Sequence, residues 1–229
     1  MAAMRIHAFL FAALLAALSL NCAAAPFSVR LGIERVVVDT PPGFTDTVDL
    51  ASPRLQDLAD GLTSASNRVL IFALSDADVR RFTNGDQLDA KRYMIAVTPK
   101  VLERERVTPE QFATLVADSL HDLGKPVEAR DIVKFLDKQP VGKLILVAEL
   151  KKETSAVSVL QGTRLPPLPG ATMFDEKKPQ YQFLTTTLFL VRGKALRLDV
   201  YALYESPADI DWLKTITQRW VDELMRLNR

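Results

Sequence analysis

The chain has 229 residues, 48% hydrophobic and 25% charged, with 29 Lys+Arg against 28 Asp+Glu, two histidines and one cysteine. That length suits one substantial domain with a full core, and so even a balance gives no electrostatic case for nucleic acid or an anionic membrane surface as partner. One thiol cannot close an internal disulfide, and so few histidines and thiols make zinc or copper a poor fit, so no cofactor is expected.

The first 25 residues form a pattern of their own. Arg5 precedes an apolar run from Ala8 to Leu20, and Asn21-Cys22-Ala23-Ala24-Ala25 follows with small residues. A positive start, a short apolar middle and a small-residue end are the three parts of a secretory signal peptide. The run's 13 residues fall short of the roughly 20 that a membrane-spanning helix requires. Cleavage after Ala24 or Ala25 is expected, leaving 26–229 as a single α+β domain, periplasmic or secreted. An uncleaved membrane anchor is the alternative. Leu18-Ser19-Leu20-Asn21-Cys22 also resembles a bacterial lipoprotein box, in which the cysteine is acylated, although Asn21 stands where Gly, Ala or Ser is usual. Cleavage would remove Arg5, His7 and Cys22, so the mature chain would be neutral, with one histidine and no thiol.

Ile33 to Val38 reads as a strand, and Pro41-Pro42-Gly43 as a turn, since proline presets φ and glycine allows a positive one. Ser52-Pro53 followed by Leu55, Leu58 and Leu62 reads as a short capped helix. Val69 to Leu74 is a continuous apolar run, a strand buried on both faces. Asp76 to Phe82 is another helical segment closed by Asn84-Gly85, and Arg92 to Val97 a second buried strand.

Thr108-Pro109-Glu110-Gln111 is the sharpest local signal. Thr108 caps a helix, Pro109 suits its first position, and Gln111 sits where a capping box places its partner. Phe112, Leu115, Val116, Ser119, Leu120 and Leu123 then recur at helical spacing until Gly124-Lys125-Pro126. Glu128 to Leu136 is a short helix. Leu144 to Ala148 and Ala156 to Leu160 form a strand pair, and Gln161 to Pro179 a Pro/Gly-rich loop.

Phe183 to Val191 and Ala195 to Tyr204 form a hairpin turning at Arg192-Gly193-Lys194. Its second strand puts Leu196, Leu198, Val200 and Ala202 on a packed face, with Arg197 and Asp199 on a partly wet one. Ser206-Pro207-Ala208-Asp209 opens a last helix whose stripe holds Ile210, Leu213, Ile216, Trp220, Leu224 and Leu227. Trp220 belongs to the core and Trp212 to the stripe's edge. Helices before, between and after antiparallel strands imply α+β, a twisted sheet covered by helices.

The hairpin with its Arg-Gly-Lys turn, followed by Ser206-Pro207-Ala208-Asp209 and an amphipathic helix, resembles the end of PsbP-like domains. Asp39-Thr40-Pro41-Pro42-Gly43-Phe44 is similar to that family's strand-then-Pro/Gly opening. These pieces cover about a third of the mature chain, and the loop from Thr163 to Pro179 departs from the family pattern. The resemblance implies an α/β/α sandwich and a non-enzymatic accessory or binding role, and it carries over no site residues.

Residue by residue, little chemistry stands out. His121 lies late in its helix beside Asp118, with Ser119 two residues away on a different face and no serine or cysteine completing a nucleophilic arrangement, and reads as a surface residue. Asp76, Asp78, Asp86 and Asp89 lack calcium-loop spacing and read as helix-start and loop acids, as do Asp209 and Asp211. No nucleotide-binding glycine motif or serine-hydrolase elbow occurs. Arg164-Leu165-Pro166-Pro167-Leu168-Pro169 matches a polyproline ligand, either a stiff exposed connection or a partner-binding loop. The expected role is a secreted or periplasmic accessory or binding protein without catalysis, whose partner is an envelope protein or a small ligand. A hydrolase using carboxylates gathered by the fold, or an anchored envelope component, are the alternatives.

Overall fold

The computed structural model describes residues 26–128, 131–167 and 179–229. The expected signal segment, with Cys22, and Leu168 and Pro169 of the proline motif lie outside the described residues. The apolar runs become β4 (Asn67–Ser75) and β5 (Arg92–Pro99), preceded by β1 (Phe27–Leu31), β2 (Glu34–Val38) and β3 (Phe44–Asp46). Downstream lie β6 (Ile145–Glu153), β7 (Ala156–Arg164), β8 (Tyr181–Val191) and β9 (Lys194–Leu203). The α-helices are α1 (Pro53–Gly61), α2 (Asp76–Thr83), α3 (Pro109–Leu120), α4 (Ile132–Leu136) and α5 (Pro207–Leu227).

β3 to β9 form one seven-stranded sheet, in the order β3-β4-β5-β9-β8-β7-β6, with every neighbouring pair antiparallel. β1 and β2 make a separate hairpin. The two longest strands meet across Arg192 and Gly193, whose φ of 50° and 73° give the tight two-residue turn that matches strand twist.

The first face of the sheet is covered by α5 and the β1–β2 hairpin. Leu213, Ile216, Trp220 and Leu224 pack there with Leu196, Leu198, Val200 and Ala202, and with Val29, Leu31, Val36 and Val38 of the hairpin. Trp220 donates its indole N–H to Asp39 O at 2.7 Å, so its polar edge is satisfied inside the core. Asn228, just past α5, donates to Val37 O and accepts from Val37 N, tying the hairpin to the helix end. The second face carries two smaller clusters. Leu55 and Ala59 of α1 pack with Phe72 and Leu74, and Phe112 of α3 packs with Val107, Leu188 and Ala195. The architecture is therefore α+β, an antiparallel sheet with helices on both faces.

Several boundaries differ from the sequence reading. β1 and β3 carry too few consecutive apolar residues to read as strands, and pairing with β2 and β4 makes them so. β7 continues to Arg164 because β8 supplies partners as far as Tyr181. α3 stops at Leu120 and tightens into a 3-10 turn over His121–Leu123, and α4 starts only at Ile132. The partly wet reading of the second face holds at Arg197, whose side chain is 36% exposed, and fails at Asp199, which is 1% exposed.

Candidate functional site

Arg164, the start of the proline motif, is the last residue of a strand. Its Nη1 donates to Asp137 O at 3.2 Å, and its own carbonyl accepts from Gly142 N at 2.8 Å. Leu165 N continues the ladder to Gln180 O, whereas Pro166 and Pro167 are exposed. Beside them Tyr181 donates its hydroxyl to Asp137 at 2.5 Å, and burial with that bond pushes the phenol up to about 12. Arg164 is thus committed to holding α4 against the sheet, leaving the two exposed prolines as the described part of the motif open to solvent.

The acids at α2 have structural partners. Ser75 caps the helix through Asp78 N, while the Asp78 carboxylate accepts from Ser75 Oγ, Asp89 N and Ala90 N and so clasps the loop after α2. Asp76 accepts from Thr45 Oγ1 at 2.7 Å, joining α2 to β3. A cavity of about 290 Å³ gathers Asp78, Asp89, Glu205 and Asp209, but with them stand Arg81, Lys91 and Arg92. Burial raises Asp209, yet the Arg92 guanidinium at 2.7 Å and the N–H groups of Glu205 and Ser206 outweigh it and hold the carboxyl below its usual range. The same Arg92 lies 4.3 Å over the Trp212 ring, so the arginine pins α5 to β5. A general acid needs the opposite shift. His121 is exposed at the end of α3, with Nδ1 3.0 Å from Asp122. Among the described residues no three of His, Cys, Asp and Glu stand close enough to hold a metal ion.

Asp199 forms the one polar arrangement inside the second face that the sequence pattern misplaced. Thr186 donates to it at 2.7 Å across the β8–β9 pair, and Arg197 Nε at 2.8 Å. Desolvation raises its pKa, against the opposing pull of Arg197 and Thr186. One step along the sheet, Tyr93 and Tyr201 stack at 4.5 Å, both phenols raised by burial. The hydroxyl of Tyr93 accepts from Gln182 at 3.2 Å.

The feature best shaped to hold another molecule is a groove beside α3. Thr108 and Gln111 close the capping box, and Val107 N donates to Gly193 O at 2.9 Å, so the helix start is fixed over the β8–β9 turn. From there α3 covers Leu188 and Ala195 and stops short of the next strand. Register carries the same face from Leu188 and Thr186 of β8 onto Val157 and Val159 of β7. These valines become the floor of a cavity of about 430 Å³, walled by Phe112, Ala113, Val116, Ala117 and Leu120. Ligand sites typically span about 300–1,000 Å³ with mostly apolar walls. Charge is confined to one rim, where Glu149 and Lys152 stand 3.9 Å apart beside Glu153. The helix periodicity predicted an apolar stripe on α3, but only Phe112 of it is buried. Of the rest, Val116 and Leu120 line the groove, while Leu115 packs against the Phe112 cluster.

The fold and groove define a helix-covered antiparallel sandwich with an apolar cleft. No protein-family model matches the chain, and no curated protein does. Among solved structures, the chain is similar to the 1.9 Å crystal structure of the Saccharomyces cerevisiae Ran-binding protein Mog1p. The identity is 13% over 89% of this chain and 94% of that one, with a TM-score of 0.39. A mutant of Mog1 is similar at 13% identity over 89% and 93% of the two chains, with a TM-score of 0.35. At that level neither structure bears on what this chain binds.

Proposed function

We propose that the chain is a non-catalytic binding protein which seats an apolar group of a small ligand or partner in the groove between α3 and the β6–β7 edge. The groove itself carries the reading: about 430 Å³, an aliphatic floor and an aromatic-aliphatic wall, with polar groups only at the rim. Such a lining favours binding by burial of apolar surface and supplies no acid, base or nucleophile at the floor. The PsbP-like resemblance of the C-terminal hairpin and helix, and the signal-like pattern from Arg5 to Ala25, extend this to an accessory role in the envelope.

Titration with a neutral naphthylamine dye tests the groove. Saturable fluorescence enhancement is expected for the chain, and loss of at least tenfold in affinity for Ala117→Glu, which puts a charge against the apolar wall. Ala117 is exposed on α3 and glutamate is a good helix former, so the fold stays intact, as its thermal melt will show. Undiminished binding by Ala117→Glu contradicts the reading.

A further inference from the structure

The chain's even charge balance conceals a segregated one. At the end of the sandwich where β1 turns into β2, the hairpin tip lies against the segment after β5: a Cβ on Gly32 would stand 3.1 Å from Arg104 Cα. Arg68 joins the two, with Nη1 donating to Arg30 O and to the Glu103 carboxylate. Arg192, on the β8–β9 turn, donates to Arg35 O at 3.1 Å.

This pole is basic. The tip carries Arg30 and Arg35 against Glu34, and the neighbouring segment carries Lys100, Arg104 and Arg106 against Glu103 and Glu105. Two of the three acids are occupied, Glu103 by Arg68 and Glu34 by Arg106 at 3.8 Å. Among the described residues no carboxylate pairs with Arg30, Arg35 or Arg104. In the middle of these cations stand the two most exposed large aliphatic side chains among the described residues, Ile33 at 94% and Val101 at 79%. Ile33 lies in the hairpin turn, and Val101 lies in the 3-10 turn Lys100–Leu102 at the edge of a cavity of about 470 Å³ that it lines with Arg68, Lys100 and Arg104.

We infer that this pole is a peripheral docking surface for a bilayer bearing anionic headgroups. Projecting aliphatic side chains ringed by arginine fit an interface that is negative at its surface and apolar beneath it. A nucleic acid offers the charge and no apolar layer for Ile33 and Val101 to enter. The surface does not depend on the N-terminal segment: Phe27 is paired with Val38 at the far end of the hairpin, about 15 Å from the tip.

Sedimentation of the full chain with vesicles tests it, comparing phosphatidylcholine alone with phosphatidylcholine mixed with phosphatidylglycerol. The N-terminal segment is common to all variants and sets the same background. Binding to the anionic vesicles is expected to exceed that to neutral ones and to fall as salt is added. Arg30→Gln with Arg104→Gln should weaken it roughly 25-fold, at about fivefold per cation lost near the surface. Ile33→Ser with Val101→Ser should weaken it about tenfold or more, and both sites are exposed enough to leave folding unchanged. Equal binding to neutral vesicles overturns the proposal. So does binding to anionic vesicles that survives the serine substitutions, or binding to duplex DNA that matches that to vesicles.

Discussion

Asp199 and Asp209 are both buried carboxylates paired with arginine, and their surroundings push them in opposite directions. Asp209 gains two backbone N–H donors at the start of α5 in addition to Arg92, which together outweigh the loss of water. Asp199 has Thr186 and Arg197, and desolvation wins. A carboxyl raised above its ordinary value of 3.8 stabilises the fold fully below that pH and loses the contribution as pH climbs through its folded pKa. A lowered one does the reverse, contributing above pH 3.8 and failing as pH falls through its folded pKa. Asp199→Asn keeps an oxygen for Thr186 and removes the titration. Urea unfolding of this variant should therefore show a flatter stability profile than the parent above pH 3.8, with the acid-side fall due to Asp209 retained. An unchanged slope above pH 3.8 contradicts this account of Asp199.

At the scale of elements, close approach of β7 and β8 depends on Gly162. A Cβ there would lie 2.8 Å from Phe183 Cε1 and 3.4 Å from Leu136 Cδ1, in the layer where α4 meets the sheet. Phe183 and Leu136 are fully buried, so neither side chain has room to retreat. Gly162→Ala should cost about 1–3 kcal/mol, read as a lower urea midpoint with unchanged m. A midpoint within error of the parent would show that this layer is looser than the contacts indicate.

Elements whose formation depends on local chemistry were legible in the sequence. The Thr108–Gln111 capping box, the Arg192-Gly193 turn and the stripe through Leu213 and Trp220 all form where residue pattern placed them. What depends on partners distant in sequence was not legible. β1 exists through its pairing with β2, and Arg164 extends β7 because Tyr181 lies opposite it. Alternation along β9 correctly separated its two faces, but it could not show that the polar face is closed over at Asp199.

For the whole molecule, the two proposed surfaces arise from how helices are distributed on the sheet. The first face is filled by α5, the β1–β2 hairpin and α4, whereas α3, fixed at its start by Val107 and Gly193, leaves a groove on the second face beside the half-buried Val157 of β7. A helical stripe in the sequence gives no indication of how much of it a neighbour covers, which is why the groove was invisible there. Net charge concealed the basic pole in the same way, since a sum carries no positions.

The central claim is that the α3 groove is where this chain holds an apolar group. Amide NMR of the chain titrated with the neutral naphthylamine dye tests it most directly. The account expects saturable shifts concentrated on Phe112 to Leu120 of α3 and on Val157 and Val159 of β7. Shifts centred instead on the smaller cavity lined by Leu55 and Phe72, or shifts that never saturate, would contradict it.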